Sequence, residues 1–457
     1  MTVWIPGKGD FCFSVISYKS DILLFQEHFW KMGNIFAKKQ IGTEDIPNEK
    51  ESLESVPTEK AKAVCSSSNT FTQQLYVQLS IGKKENLLLS GFSITTAMAM
   101  IFLAARDEAS KEIQECFGFH TDLDEHKLGY KDILKHLASC NNKDAELIIT
   151  QKIFADNRLE IPELFTVDTH DSFGAETTKL DLAEPASADI INKWVKEATK
   201  GKIESIANGN DFNSDTLMML LNAIYFKCKW EQKFNFDNTK EQDFYLSGQE
   251  AGPKVKAQMM TLGDVNLQTI FIRSLDARAV ELPYKGNKFS MIFILPERED
   301  GFDEMDQRLR DVDLNNELSF GKGRTKFNVK IPKFKLESSH DLNEQLKSLG
   351  VKTAFVSGRS NFGGISKEPN QETFLKTVRQ KAVIEVDEAG TEAVACTGVV
   401  AYAKCAPIQP CSFICNRPFI FLIRQQETGL ILFIGRMMNP TQKWEDSYLA
   451  ENVCSCT

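Results

Sequence analysis

The chain has 457 residues, 42% of them apolar and 26% charged, with a formal net charge of -9. This is the composition of a globular protein long enough to bury a sizeable core. The acidic balance excludes general attraction to nucleic acid or anionic membranes, and no apolar run reaches the roughly 18 residues of a membrane span.

The first residues, "MTVWIPGKGDFCFSVISYKSDILLF", break their apolar stretches with Lys8, Asp10, Lys19 and Asp21 and show no small-x-small cleavage site, so no signal peptide is expected. Residues 38–62 are rich in charge and poor in large apolar side chains. Such a stretch cannot bury enough surface to offset its ordering and is expected to be a linker. Residues 1–64 are therefore expected to form a partly disordered extension, 65–440 the folded domain, and 441–457 a short tail.

Within the domain, "NTFTQQLYVQLS" places Phe71, Leu75 and Leu79 on one helical face. Residues 93–105, "SITTAMAMIFLAA", read as a buried helix that stops at Arg106. Ile190, Ile191, Trp194, Val195 and Ala198 recur at helical spacing, with Gly201 as the stop. "TLMMLLNAIYFKCKW" (216–230) reads as a buried strand interrupted by Asn222, and "FSMIFILP" (289–296) as another. In the basic stretch 321–335, Lys326 and Lys330 alternate with Phe327, Val329 and Ile331, the pattern of a half-buried strand with a wet face. "RPFIFLI" and "LILFIG" flank "ETG" and predict an antiparallel hairpin. Helices first and strands crowding toward the end indicate an α+β fold.

Motifs for catalysis or ligands are absent: no Gly-x-Ser-x-Gly elbow, His-Glu-x-x-His pair or phosphate-cradling loop occurs. The six histidines are scattered, and Cys405, Cys411, Cys415, Cys454 and Cys456 do not form paired Cys-x-x-Cys spacings. The chain is expected to be no enzyme and to need neither metal nor cofactor. Eleven cysteines without framework spacing, and no Asn-x-Ser/Thr acceptor, favour a reducing cytoplasmic setting over the extracellular alternative.

Residues 385–410, "EVDEAGTEAVACTGVVAYAKCAPIQP", are unusual because the sole charge between Glu392 and Arg417 is Lys404. As a strand, one face would hold Thr391, Ala393, Ala395 and Thr397, all small and uncharged, and the other Glu392, Val394 and Cys396. Gly390, Gly398 and Val399-Val400 weaken a helical alternative.

The hinge "EAGTEAVA" and the later "FICNRPFIFLI" (413–423) resemble the serpin family. "NAIYFKCKWE", "VELPYKGNKFSMIFILP" and "LNEQLKSLGVKTAF" match other family blocks in order, from Asn69 to Pro440. The ovalbumin-type, intracellular branch is the most similar. The resemblance implies one domain with three β-sheets, about eight or nine α-helices and an exposed reactive-centre loop. Family spacing counted from Glu388 puts the scissile bond between Lys404 and Cys405. A lone ammonium on a long stem suits the acidic pocket of a trypsin-like serine protease.

The resemblance further implies a suicide substrate that traps a trypsin-like serine protease covalently by loop insertion. The expected state is a monomer, and residues 126–140 hold too few cations for a glycosaminoglycan activator. The alternatives are a non-inhibitory chaperone or binding protein, or a cross-class inhibitor of cysteine proteases. It places the hinge at Glu388, Gly390, Thr391, Glu392, Ala393, Ala395 and Thr397, and a sheet-opening region at Ser90, Ser93, Asn222, Trp230, Lys333 and Gln380, with Lys333 meeting Glu388. Four departures stand out: Gln380 replaces a common histidine, Gly91 a proline and Cys228 a glycine, and "NFGGI" (361–365) replaces Asp-Phe-Ser-Gly-Ile. Gln380 retains a donor and an acceptor, so an altered opening barrier is expected.

Overall fold

A computed structural model describes residues 56–358, 360–366, 373–388 and 410–442. Helix α1 (Glu59–Ser80) starts within the stretch expected to be a linker, because Thr58 caps it by accepting a hydrogen bond from Ala61 N. Short strand β1 (Leu87–Leu89) leads into α2 (Gly91–Ala104), every residue of which is buried. Next come α3 (Asp107–Phe117), α4 (Leu123–Ser139), β2 (Ala145–Asp156), α5 (Glu163–Phe173), β3 (Glu176–Leu180) and α6 (Ser187–Ala198). The middle of the chain is β4 (Met218–Cys228), β5 (Lys240–Tyr245), β6 (Lys254–Ile272), β7 (Ala277–Pro283) and β8 (Phe289–Pro296). It continues through α7 (Phe302–Arg308), α8 (Leu314–Glu317), β9 (Thr325–Pro332), β10 (Phe334–Asp341) and α9 (Asn343–Ser348). The last strands are β11 (Thr377–Val386), β12 (Cys411–Ile414), β13 (Phe419–Gln425) and β14 (Ile431–Met437). Among the described residues no helix is long and apolar enough to cross a membrane.

One sheet has the order β10-β11-β4-β2-β3, with β11–β4 and β2–β3 parallel and the remaining pairs antiparallel. A second runs β1-β14-β13-β8-β7-β6-β9-β12, with β5 also on β6. Long β6 divides it: residues 254–259 pair with β5, 259–267 with β9 and 268–272 with β7, and a bulge falls between Leu262 and Val265. The bulge turns β6 from one layer into the next, so the strands form three sheets, two of them sharing β6. The expected hairpin is β13–β14, with Phe419 opposite Met437.

The sheets close on one another through their apolar faces. Phe226 of β4 meets Phe289 and Phe433 at ring distances of 5.4 and 6.1 Å, and Ala382 and Ile384 of β11 join the same cluster. On α6 the expected apolar face is corrected: Ala188, Ile191 and Val195 are buried, but Ile190 is half exposed. A step of one residue from Ile191 turns the side chain about 100° away from the sheet.

Gly91 lies flush on α1. A Cβ there would meet Thr72 Cα at 2.6 Å and its Oγ1 at 2.0 Å. This accounts for glycine at a position where the resemblance leads one to expect proline. Gly91→Ala should therefore lower stability by roughly 1–3 kcal/mol, the usual range for overpacking, read as a fall in the denaturant midpoint with unchanged slope.

His126 is buried among Phe102, Phe119, Tyr130 and Phe173. Burial pushes its pKa down to about 4, and a 3.4 Å contact with Ala99 O does not offset this. The neutral ring is the folded form, so between pH 6.5 and about 4 the unfolded chain binds the proton first. Stability is complete above that window and lost as pH falls through it, by at most roughly 3 kcal/mol. Melting curves across the window should be flatter for His126→Phe than for the parent chain.

Candidate functional site at the seam of the central sheet

At the centre of the five-stranded sheet, β11 and β4 lie side by side and parallel, with Gln380 opposite Asn222. Both strands are buried over nearly their whole length. The chain leaves β11 after Val386 through Asp387 and Glu388.

Midway along the seam, on its inner face, side chains from both strands hold the first turn of α2. Gln380 Oε1 accepts from Ser90 N at 3.0 Å, while its Nε2 donates to Ser90 O at 2.7 Å and Ser93 Oγ at 2.6 Å. From the other strand, Asn222 Nδ2 donates to Ser93 O at 3.0 Å. Asn222 Oδ1 is buried and has no hydrogen-bond partner among the described residues. Ser90 is the N-cap of α2, accepting from Ser93 N at 3.3 Å. Capping thus fixes the turn that both strands grip.

One strand over, β10 brings His340 opposite Gln380. His340 Nε2 lies 3.0 Å from Leu88 O, and Ser338 Oγ donates to the same carbonyl at 2.5 Å. Burial pushes the His340 pKa down to about 4, so the ring is neutral near pH 7 and donates from Nε2.

The upper end of the seam is held by charge and by an aromatic stack. Glu388 is 2% exposed, and Lys333 Nζ meets its Oε2 at 2.8 Å. Glu388 O accepts from Phe234 N at 3.1 Å, and Asp387 O from Trp230 Nε1 at 2.9 Å. Trp230 stacks on Tyr284 with centroids 4.4 Å apart and planes at 12°. Lys227 of β4 reaches across to Glu385 at 2.8 Å and Asp387 at 3.1 Å. Burial pushes the Lys227 ammonium toward neutrality, but the two carboxylates outweigh it and hold its pKa above the ordinary lysine range.

Ser90, Ser93, Asn222 and Gln380 thus come together at mid-seam, and Trp230, Lys333 and Glu388 come together where the chain leaves β11. The two groups are about 25 Å apart along the strand. Gly390, Thr391, Glu392, Ala393, Ala395, Thr397, Lys404 and Cys405 lie outside the described residues. Sequence reasoning missed Lys227, Tyr284, His340 and the pair Arg379–Asp211. Lys227 and His340 become visible only with the strand register, Tyr284 with its stacking on Trp230, and Arg379–Asp211 with the path of the chain between α6 and β4, none of which a single sequence reveals. Cys228 is buried, and burial raises its thiol pKa to about 12, so it replaces glycine as an inert core residue.

Residues 66–440 match the family described as Serpin (serine protease inhibitor). Iripin-2 of Ixodes ricinus is 34% identical over 384 residues, which cover 83% of this chain and 94% of that protein. The leukocyte elastase inhibitor of Homo sapiens, from the ovalbumin-type branch, is 33% identical over 393 residues, 82% of this chain and 99% of that protein. The crystal structure of Serpin48 from Tenebrio molitor superposes with a TM-score of 0.74 at 29% identity, covering 84% of this chain and 99% of that one. With the three-sheet α+β fold and a family match over most of its length, the chain belongs to the serpin family.

Proposed function

We propose that this chain is a suicide-substrate inhibitor of a trypsin-like serine protease, with Lys404 as the residue read by the specificity pocket. The observation that carries this reading is the parallel contact between β4 and β11, with the loop tethered at its upper end. A segment folding back from Glu388 runs antiparallel to both strands. One parallel pair is then replaced by two antiparallel pairs, which are the slightly more stable kind. The small residues Thr391, Ala393, Ala395 and Thr397 fit the inward positions of such a strand.

In this mechanism the protease serine attacks the Lys404 carbonyl. The bond to Cys405 breaks, the new Cys405 amine takes a proton, and an acyl-enzyme remains on Lys404. Cutting frees the hinge side of the loop to enter the seam as a central strand. About a dozen new backbone hydrogen bonds at about 1 kcal/mol net each contribute on the order of 10 kcal/mol. That gain displaces the tethered protease and distorts its active site before water can release it. The uncut form is accordingly a kinetic trap.

A cytoplasmic setting belongs to the same reading. It is supported by Cys65, Cys116, Cys228 and Cys415, which are thiols and not disulfides, and by likeness to the leukocyte elastase inhibitor. Subcellular fractionation tests it directly.

Mixing the protein with trypsin should give a complex that survives a denaturing gel and a released C-terminal fragment whose mass starts at Cys405. Cleavage without a complex would point instead to a chaperone or binding role, and a fragment with another start would move the reactive bond. Ala395→Arg places a charge beneath the sheet. It should convert the inhibitor into a substrate, raising the amount needed per protease at least about tenfold, which corresponds to slowing insertion by about 1.4 kcal/mol.

A further inference from the structure

Arg379 precedes Gln380 on β11, so its side chain leaves the opposite, outer face of the sheet. The guanidinium is buried and forks onto Asp211: Nη2 donates to Oδ1 at 2.8 Å and Nη1 to Oδ2 at 2.5 Å. Nη1 also donates to Ile206 O at 3.1 Å, and Asp341 of β10 lies 3.5 Å from Nη2.

Asp211 belongs to the segment that connects α6 to β4. Asn192 of α6 holds this segment by donating to Ala207 O at 2.8 Å and accepting from Ile206 N at 2.8 Å and Ala207 N at 3.0 Å. Asp211 Oδ2 accepts from Asn208 N at 2.8 Å, which fixes the carboxylate. Ile191, Val195, Ile203 and Phe212 pack on Phe154 of β2 and on Met219, Leu221, Ala223 and Tyr225 of β4, with Val383 joining from β11. Helix α6 and its connector therefore ride mainly on the β2–β4 side of the seam, whereas Arg379 rides on the β11 side.

A strand lying between β4 and β11 would take their axes from about 4.8 Å to about 9.6 Å apart. That displacement stretches Arg379–Asp211 beyond the reach of any hydrogen bond. We propose that this pair is an outer latch on the seam, which holds the sheet shut and sets the rate at which a loop strand is admitted. The proposal rests on the insertion reading given above. Its strength comes from poor solvation: parting the pair takes the cation from the largely covered Asp211 carboxylate and leaves the buried guanidinium with only the longer 3.5 Å contact to Asp341.

Lys381 supplies the internal control. It lies on the same face of β11 and is also buried, but its partner Glu337, at 2.8 Å, is on β10. That pair sits wholly on one side of the seam and moves with β11 when the seam parts.

The test is uptake of a synthetic peptide of residues 391–404 by the uncut protein, followed by native gel and by the rise in melting temperature. Asp211→Asn and, independently, Arg379→Gln should take up the peptide at least about tenfold faster than the parent chain, equivalent to about 1.4 kcal/mol of barrier. Glu337→Gln should leave the rate unchanged. Parental rates in both latch variants overturn the latch. Equal acceleration by Glu337→Gln also overturns it, by assigning the effect to general weakening of the sheet. If neither the parent nor any variant takes up peptide, the insertion reading falls and the latch falls with it.

Discussion

The interaction on which the molecule depends is the parallel edge between β4 and β11. It joins two buried strands at the centre of a sheet, where backbone groups must be paired because water cannot reach them. It is also the one place in that sheet where a strand returning from the loop could be antiparallel to both neighbours. The backbone contact is thus satisfied as it stands and replaceable by a better one, which is the condition for a metastable fold. In the proposed insertion the contacts around it supply the barrier. Asn222 at mid-seam, and Lys227 and Trp230 at the upper end, are the side chains that bridge from the β4 side across it.

The departures from the family pattern make sense at this seam. Gln380 carries a donor and an acceptor whose roles do not change with protonation, so it binds both Ser90 N and Ser90 O at once. A neutral imidazole has one of each but places them on a rigid ring, and it becomes a double donor in acid. A histidine is nevertheless present one strand over: His340 holds Leu88 O just ahead of the same turn. Gly91 lets that turn lie directly against Thr72, so α1 and α2 meet there without a side chain of α2 between them.

Much of the fold was legible because the central strands are buried on both faces. The apolar runs that became β4, β8, β13 and β14 have almost no polar interruption, and the one in β4, Asn222, lies in the candidate site. The alternation in β9 was legible for the complementary reason: Phe327, Val329 and Ile331 are buried while Lys326 and Lys330 are not. The face of α6 was misjudged at Ile190 because an apolar residue beside a buried stripe looks like part of it. The start of α1 at Glu59 was missed although Thr58 offered a cap, since charge in the first turns masked the helical face. At the candidate site, Ser90, Ser93, Asn222 and Gln380, named by the resemblance, lie within hydrogen-bonding reach of one another, but Arg379 gave no sign of its partner. Asp211 lies far away in sequence, and only the path of the connector over the sheet unites them.

The distribution of bonds at mid-seam indicates where the structure would divide in the proposed opening. The start of α2 and the strand before it are tied to the β10–β11 side by Gln380, Ser338 and His340. They are tied to β4 by Asn222 alone among these side chains. Helix α6 and its connector are apportioned the other way, resting on β2 and β4 and reaching β11 through Arg379 and Val383. Parting the seam therefore separates two bodies that interlock from opposite faces. Besides the backbone pairing of β4 with β11, the side-chain bonds that must break between them at this level are Asn222 to Ser93 on the inside and Arg379 to Asp211 and to Ile206 O on the outside. Asn222 emerges with its amide freed and its carbonyl still unpartnered, so a strand arriving beside β4 meets both a donor and an acceptor. The polar residue that interrupts an otherwise apolar strand is then the group positioned to receive the strand that replaces β11 as its neighbour.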